Sequence, residues 1–101
     1  MINAKEELLE TLMFKKPLCA WIEYGEKFEI TKTIILKKGY TQEDWNIFLT
    51  QLDFVYDNGY GTQELFGTIW MSNEVWIKRH EYDGFEYWEW QAIPEIPEEL
   101  L

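Results

Sequence analysis

The chain has 101 residues and a mass of 12.3 kDa, which is room for one domain and not for two ordinary cores. Hydrophobic residues make up 47% and aromatics 18%, which excludes intrinsic disorder and supplies a core that needs neither metal nor disulfide. Nine Lys and Arg against nineteen Asp and Glu leave a net charge of −10, which disfavours direct binding to a phosphate backbone.

The charge is unevenly placed. Residues 1–52 hold seven basic and eight acidic groups, net −1, whereas residues 53–101 hold two basic and eleven acidic groups, net −9. The second half also carries eleven of the eighteen aromatics, so acid and aromatic surface interleave there. One reading is solubility, since a Trp-rich domain needs charge to resist association. The other is an acidic face that engages a basic partner protein. No apolar run approaches the roughly 20 residues needed to span a bilayer, and Met1–Glu10 is acidic and amphipathic, unlike a secretory leader. The expected location is the cytoplasm, with which a single cysteine, Cys19, is consistent.

In chain order, Asn3 followed by Glu6 has the form of a capping box, and Leu8, Leu9, Leu12 and Met13 recur at helical spacing, which predicts a helix over about 4–14 that Pro17 ends. Leu18–Tyr24 and Phe28–Ile30 read as two strands joined by a tight turn at Gly25-Glu26, the second running on through Thr33–Leu36. Thr41 and Asp44 form a second capping box, and Trp45, Phe48, Leu49 and Leu52 mark one face of a helix over about 42–52. Residues 53–61 have the Asp, Asn and Gly content of a loop, and three strands follow at about 64–71, 75–82 and 85–92.

Asp83-Gly84 is a two-residue hairpin signal, because a type I′ turn needs positive φ at both positions. It pairs Tyr82 with Phe85, His80 with Tyr87, Lys78 with Glu89 and Ile77 with Trp90. A turn at Asn73-Glu74 would set Trp70 opposite Ile77. One face then carries Phe66, Trp70, Val75, Ile77, Arg79, Trp88 and Trp90 as core, packed on the second helix. The opposite face carries Ile69, Trp76, Lys78, His80, Tyr82, Phe85, Tyr87 and Glu89. Residues 93–101, with Pro94 and Pro97, are expected to run extended as an arm. The fold class is α+β, a single domain over 1–101 in the order α-β-β-α-β-β-β, with a mainly antiparallel sheet packed on a helix.

The inventory for catalysis is short. One His, one Cys and one Ser allow only Cys19 with His80, or Ser72 with His80. Cys19 lies in an apolar strand pattern, where a small buried hydrophobe is the ordinary role, and Ser72 lacks the Gly-flanked context of a nucleophile elbow. A lone imidazole argues against a transition-metal site, since Glu81 beside it points to the opposite strand face. Asp53 to Glu64 fails as a calcium loop at Val55 and at Asn58, where Gly is required, and Gly59-Tyr60-Gly61 lacks the Lys of a phosphate loop. No cofactor is expected. Arg79 falls across from Trp88, either as a cation–π clamp of the hairpin or as a ligand-gripping Arg. Trp76, Tyr82 and Tyr87 are candidates for an exposed interaction patch.

The stretch Leu65–Trp70, then Trp76–Gly84, Glu86–Glu89 and Pro94–Pro97, resembles a group of small acidic proteins encoded by bacteriophages and mobile elements. The match covers one-third of the chain. It implies a genomic setting, in which proteins of this size inhibit host defence and some mimic DNA to block restriction or CRISPR nucleases. The favoured function is therefore stoichiometric inhibition, without catalysis, of a host nucleic-acid-directed defence enzyme. The expected partner-binding residues are Trp76, Tyr82, Asp83, Glu86, Tyr87, Glu89 and Glu95. The expected partner is the basic surface of a nuclease or CRISPR effector, with no direct nucleic acid and no membrane. The alternatives are a homodimeric or other protein-interaction module built on the aromatic face, and a small-ligand domain using Trp76, His80 and Tyr87.

Overall fold

Strand segments rich in aromatic and β-branched residues and two capped helical segments assemble into two layers. The computed structural model describes residues 1–26, 29–59 and 62–101. Its elements are β1 (Ile2–Asn3), α1 (Ala4–Thr11), β2 (Cys19–Glu26), β3 (Glu29–Leu36), α2 (Gln42–Gln51), β4 (Val55–Tyr56), β5 (Leu65–Trp70), β6 (Val75–Tyr82), β7 (Phe85–Ala92) and a short 3-10 turn, Glu98–Leu100. The main sheet is antiparallel in the order β3-β2-β5-β6-β7, and the α+β class holds.

The two-residue strands β1 and β4 pair with each other, so residues 55–56 are a strand inside the segment read as loop. Their pairing has a local cause. The Ala4 N–H, orphaned at the start of α1, donates to the Phe54 carbonyl at 2.9 Å, while the Asn3 side chain caps Glu6 N. At α2 both halves of the Thr41–Asp44 capping box are made.

Three boundaries depart from the sequence reading. α1 stops at Thr11 rather than 14, because Met13 and Phe14 take left-handed backbone at φ 55° and 60°. Gly25 and Glu26 continue β2 instead of turning, opposite Ile30 and Glu29, and the connection falls on residues 27–28, outside the described residues together with the Phe28 end of the expected strand. A bulge between Tyr24 and Gly25 marks the place, where a Cβ on residue 25 would stand 2.2 Å from the Glu29 carbonyl oxygen. The arm after β7 closes into a 3-10 turn at Glu98–Leu100 before the chain's last residue.

The Asp83-Gly84 hairpin forms as expected, with φ 52° and 83° at the two turn residues and Tyr82, His80, Lys78 and Ile77 opposite Phe85, Tyr87, Glu89 and Trp90. The preceding turn does not. The Ser72 hydroxyl accepts from both Glu74 N and Val75 N, and Met71 N donates to Val75 O, which closes a loop one residue longer than Asn73-Glu74 alone. Ile69, not Trp70, therefore faces Ile77, and β5 is turned over. Leu65 and Ile69 enter the core, and Phe66 and Trp70 move to the opposite face.

Both helices lie on the side of the sheet that carries Ala20, Ile22, Ile34, Leu36, Leu65, Ile69 and Ile77. Leu8 and Leu12 of the α1 segment and Trp45, Phe48 and Leu52 of the α2 segment complete this core. Trp90 shares that face but sits on edge strand β7 and stays 42% exposed, so the expected buried Trp70–Ile77–Trp90 row does not exist. Trp88→Ala should therefore cost about 3–5 kcal/mol and Trp90→Ala about 1 kcal/mol in urea unfolding. Equal losses would put Trp90 in the core after all.

Candidate interaction face of the sheet

Both helices lie on one side, and among the described residues no helix covers the other side of the five-stranded sheet. Register sets its side chains in rows: Cys19, Trp70, Trp76 and Gln91 form one, and Trp21, Thr68, Lys78 and Glu89 form the next, with Ile35 beside Trp21. Glu23 lies opposite Phe66, and the hairpin adds His80 with Tyr87 and Tyr82 with Phe85. Trp21, Ile35, Phe66, Trp70, Tyr82 and Phe85 are all exposed large hydrophobics, Trp70 at 40%. Large apolar side chains gathered on one sheet face among polar ones have the composition of contact faces.

Polar groups orient the aromatics. The Trp21 indole N–H donates to Glu23 Oε1 at 3.0 Å. His80 stacks on Tyr87 with ring centroids 6.1 Å apart, Tyr87 stacks on Phe85 at 6.2 Å, and His80 Nε2 lies 3.1 Å from Glu89 Oε2. Trp21, Glu23, Phe66, Thr68, Trp70 and Lys78 line a shallow depression of about 380 Å³.

Of the expected contact residues, Trp76, Tyr87 and Glu89 lie on this face, and Tyr82 and Asp83 project at its hairpin tip. Glu95 is exposed on the arm beyond β7. Glu86 departs from the expectation. It faces the helices at 2% exposure, and its carboxylate accepts from Glu64 N, Leu65 N and the Arg79 guanidinium at 2.8–3.1 Å. It presents nothing to a partner. Trp21, Phe66 and Trp70 are exposed on the open face but absent from the sequence-derived set, Phe66 and Trp70 because of the register change at Ser72.

Arg79 is likewise resolved in favour of structure. Its guanidinium is fully buried, bridges Glu86 and Glu7 at 2.9 Å each, accepts no water-facing role, and lies between the Tyr56 and Trp88 rings at 5.5 and 5.0 Å. It also donates to the Tyr56 hydroxyl, which in turn donates to Glu7 Oε1. Burial, then the bond to Glu7, pushes the Tyr56 phenol far above its ordinary value of 10.0. The raised group favours the folded state below pH 10 and withdraws that support as pH rises above it. Stability should fall steeply above about pH 10, and Tyr56→Phe should flatten that fall; an unchanged alkaline slope would exclude Tyr56 as its source.

The potential nucleophiles are scattered. Cys19 is half-buried on the open face, and its row meets β6 at Trp76, two strands across and four residues along from His80, roughly 16 Å by strand geometry. The Ser72 hydroxyl is engaged in its own loop. Among the described residues no three His, Cys, Asp or Glu side chains converge on a metal-sized point, and no helix is long and apolar enough to cross a membrane.

Acids run along the β6–β7 edge of the open face. Asp83 stands at the hairpin tip, half-buried Glu89 in the middle, and Glu74 and Glu95 at the far end, where Ile93 N donates to Glu74 O; Glu81, opposite Glu86, belongs to the helix side of the sheet and accepts from Gly84 N. Eight strand residues make this line roughly 25 Å long. No protein-family model, curated protein or solved structure matches the chain.

Proposed function

We infer that this protein is a non-catalytic binding protein whose open sheet face and acidic edge occupy the basic surface of a partner protein. The observation that carries this reading is the union of an uncovered aromatic face with a line of carboxylates along its β6–β7 edge. Aromatic side chains supply rigid contact area at low entropic cost, and the carboxylates steer a basic partner onto it. The resemblance to small acidic phage and mobile-element proteins points to the class of partner: a host nuclease or CRISPR effector that grips DNA through Lys and Arg. Inhibition is then stoichiometric, with the acidic edge standing where a phosphate strand would lie.

Purified DNA-gripping nucleases of the restriction and CRISPR types should bind the protein at low salt and release it as salt rises, with DNA competing. Reversal of Asp83, Glu89 and Glu95 to Lys should weaken binding at least tenfold without unfolding the domain. Glu86 is left out of this set because its reversal would empty a buried ion pair. Binding that ignores salt and these reversals would contradict the reading, as would complete inactivation of a target by a small molar fraction of the protein.

A further inference from the structure

A second concave surface follows the free edge of the sheet. β3 is an outermost strand, and among the described residues no other strand pairs with its outer side. Between β3 and α2 runs a groove of about 380 Å³ whose apolar lining is Ile35, Phe48 and Ile47, the last 51% exposed. Lys37 and Lys38 line the same groove, both exposed and, among the described residues, neither bridged to a carboxylate. Asp44, also in the lining, is engaged with the Thr41 N–H of the α2 capping box. Farther along β3, Lys32 donates to Gln51 O at 2.6 Å and adds a third cation at the groove's other end. This is a cationic groove on a chain of net −10.

The arm after β7 has the opposite character. Ile93, Ile96, Leu100 and Leu101 are all exposed, Ile96 at 61%, and the acids Glu95, Glu98 and Glu99 between them are exposed too. Pro94 and Pro97 keep the arm from pairing as a regular strand, so its contacts are made by side chains. We propose that the groove between β3 and α2 receives the arm of a second copy of this chain, with Ile96 and Leu100 against Ile35, Ile47 and Phe48, and Glu98 and Glu99 against Lys37 and Lys38. Reach decides between the chain's own arm and another's. Ile93 N is held by Glu74 O, and β7 and β3 are opposite edges of the sheet, four strand spacings or roughly 19 Å apart. Ile96, three residues beyond that anchor, reaches at most about 11 Å. Its own groove is out of range, whereas exchange about a two-fold axis lets each copy give one arm and receive one. Acids set against lysines also offset the repulsion between two chains of like charge. The groove adjoins the open sheet face only at Ile35, and the inference stands independently of the function proposed above.

Sedimentation equilibrium of the full chain across a concentration series tests it. The wild type should show a monomer–dimer equilibrium that weakens as salt rises. Ile47→Asp and Ile96→Asp should each raise the dissociation constant about tenfold or more. Lys37→Glu with Lys38→Glu should do the same, as should Glu98→Lys with Glu99→Lys. An equimolar mixture of those two double variants should recover the dimer, since each groove then meets an arm of opposite charge. All the substituted positions are exposed, so each variant should keep the wild-type thermal midpoint at the lowest concentration. A chain monomeric at every concentration would overturn the proposal, whether the groove stays empty, takes the chain's own arm or takes another protein. So would a dimer indifferent to the groove and arm variants, or double variants that fail to rescue each other.

Discussion

Replacing Arg79 with alanine should cost about 3–5 kcal/mol, the range for breaking a buried ion pair by removing one partner. The guanidinium is fully buried, and its loss would leave the largely buried Glu86 and Glu7 carboxylates without their cation. Glu86 is also the acceptor for Glu64 N and Leu65 N, so the damage should spread to the start of β5. Lysine should rescue little, because one ammonium cannot reproduce a planar group that bonds Glu86, Glu7 and Tyr56 while stacking on two rings. Arg79→Met combined with Glu86→Leu and Glu7→Gln should be less destabilised than Arg79→Ala alone, since the stranded charges go with their partner. Urea unfolding measures all three; a loss below about 1 kcal/mol for Arg79→Ala would mean that the carboxylates find water.

The second large effect concerns binding rather than folding. Trp70 and Trp76 face each other across β5 and β6 on the open side of the sheet. Changing both to alanine should weaken partner binding by about 100-fold or more, the scale of two aromatic hot-spot residues, while stability falls by less than about 2 kcal/mol. Trp88 on the other face should give the reverse pattern, with stability lost and binding strength per folded molecule kept. The contrast separates a contact face from a core.

What could be read from the sequence follows from how strongly each turn declares itself. Asp83-Gly84 names its turn type, and that alone fixed the β6–β7 register and placed Ile77, Arg79 and Trp88 together on the core side. Ser72 carries no comparable signal. Its hydroxyl bonds two backbone N–H groups and lengthens the loop by one residue, enough to exchange Trp70 for Ile69. The burial of Glu86 was within reach of the same hairpin arithmetic, because Arg79 on a core face requires a carboxylate and Glu86 shares that face. Reading Glu86 as surface charge missed this. The exposure of Trp21 was not legible, since Leu18–Tyr24 is apolar on both sides and gives no parity. The early end of α1 was hidden for a related reason: Met13 continues the helical spacing, and no glycine marks the stop.

The central claim is that the open face of the sheet, with its acidic β6–β7 edge, is where a basic partner docks. The direct measurement is a titration of the ¹⁵N-labelled protein with a purified DNA-gripping nuclease, followed through the backbone and indole N–H signals. Shifts concentrated on Trp21, Phe66, Trp70, Trp76, Tyr87 and Glu89, reversed by added salt, are the expected result. Shifts confined to the α1 and α2 side of the molecule, or binding that leaves the indole signals of Trp21, Trp70 and Trp76 unmoved, would contradict it.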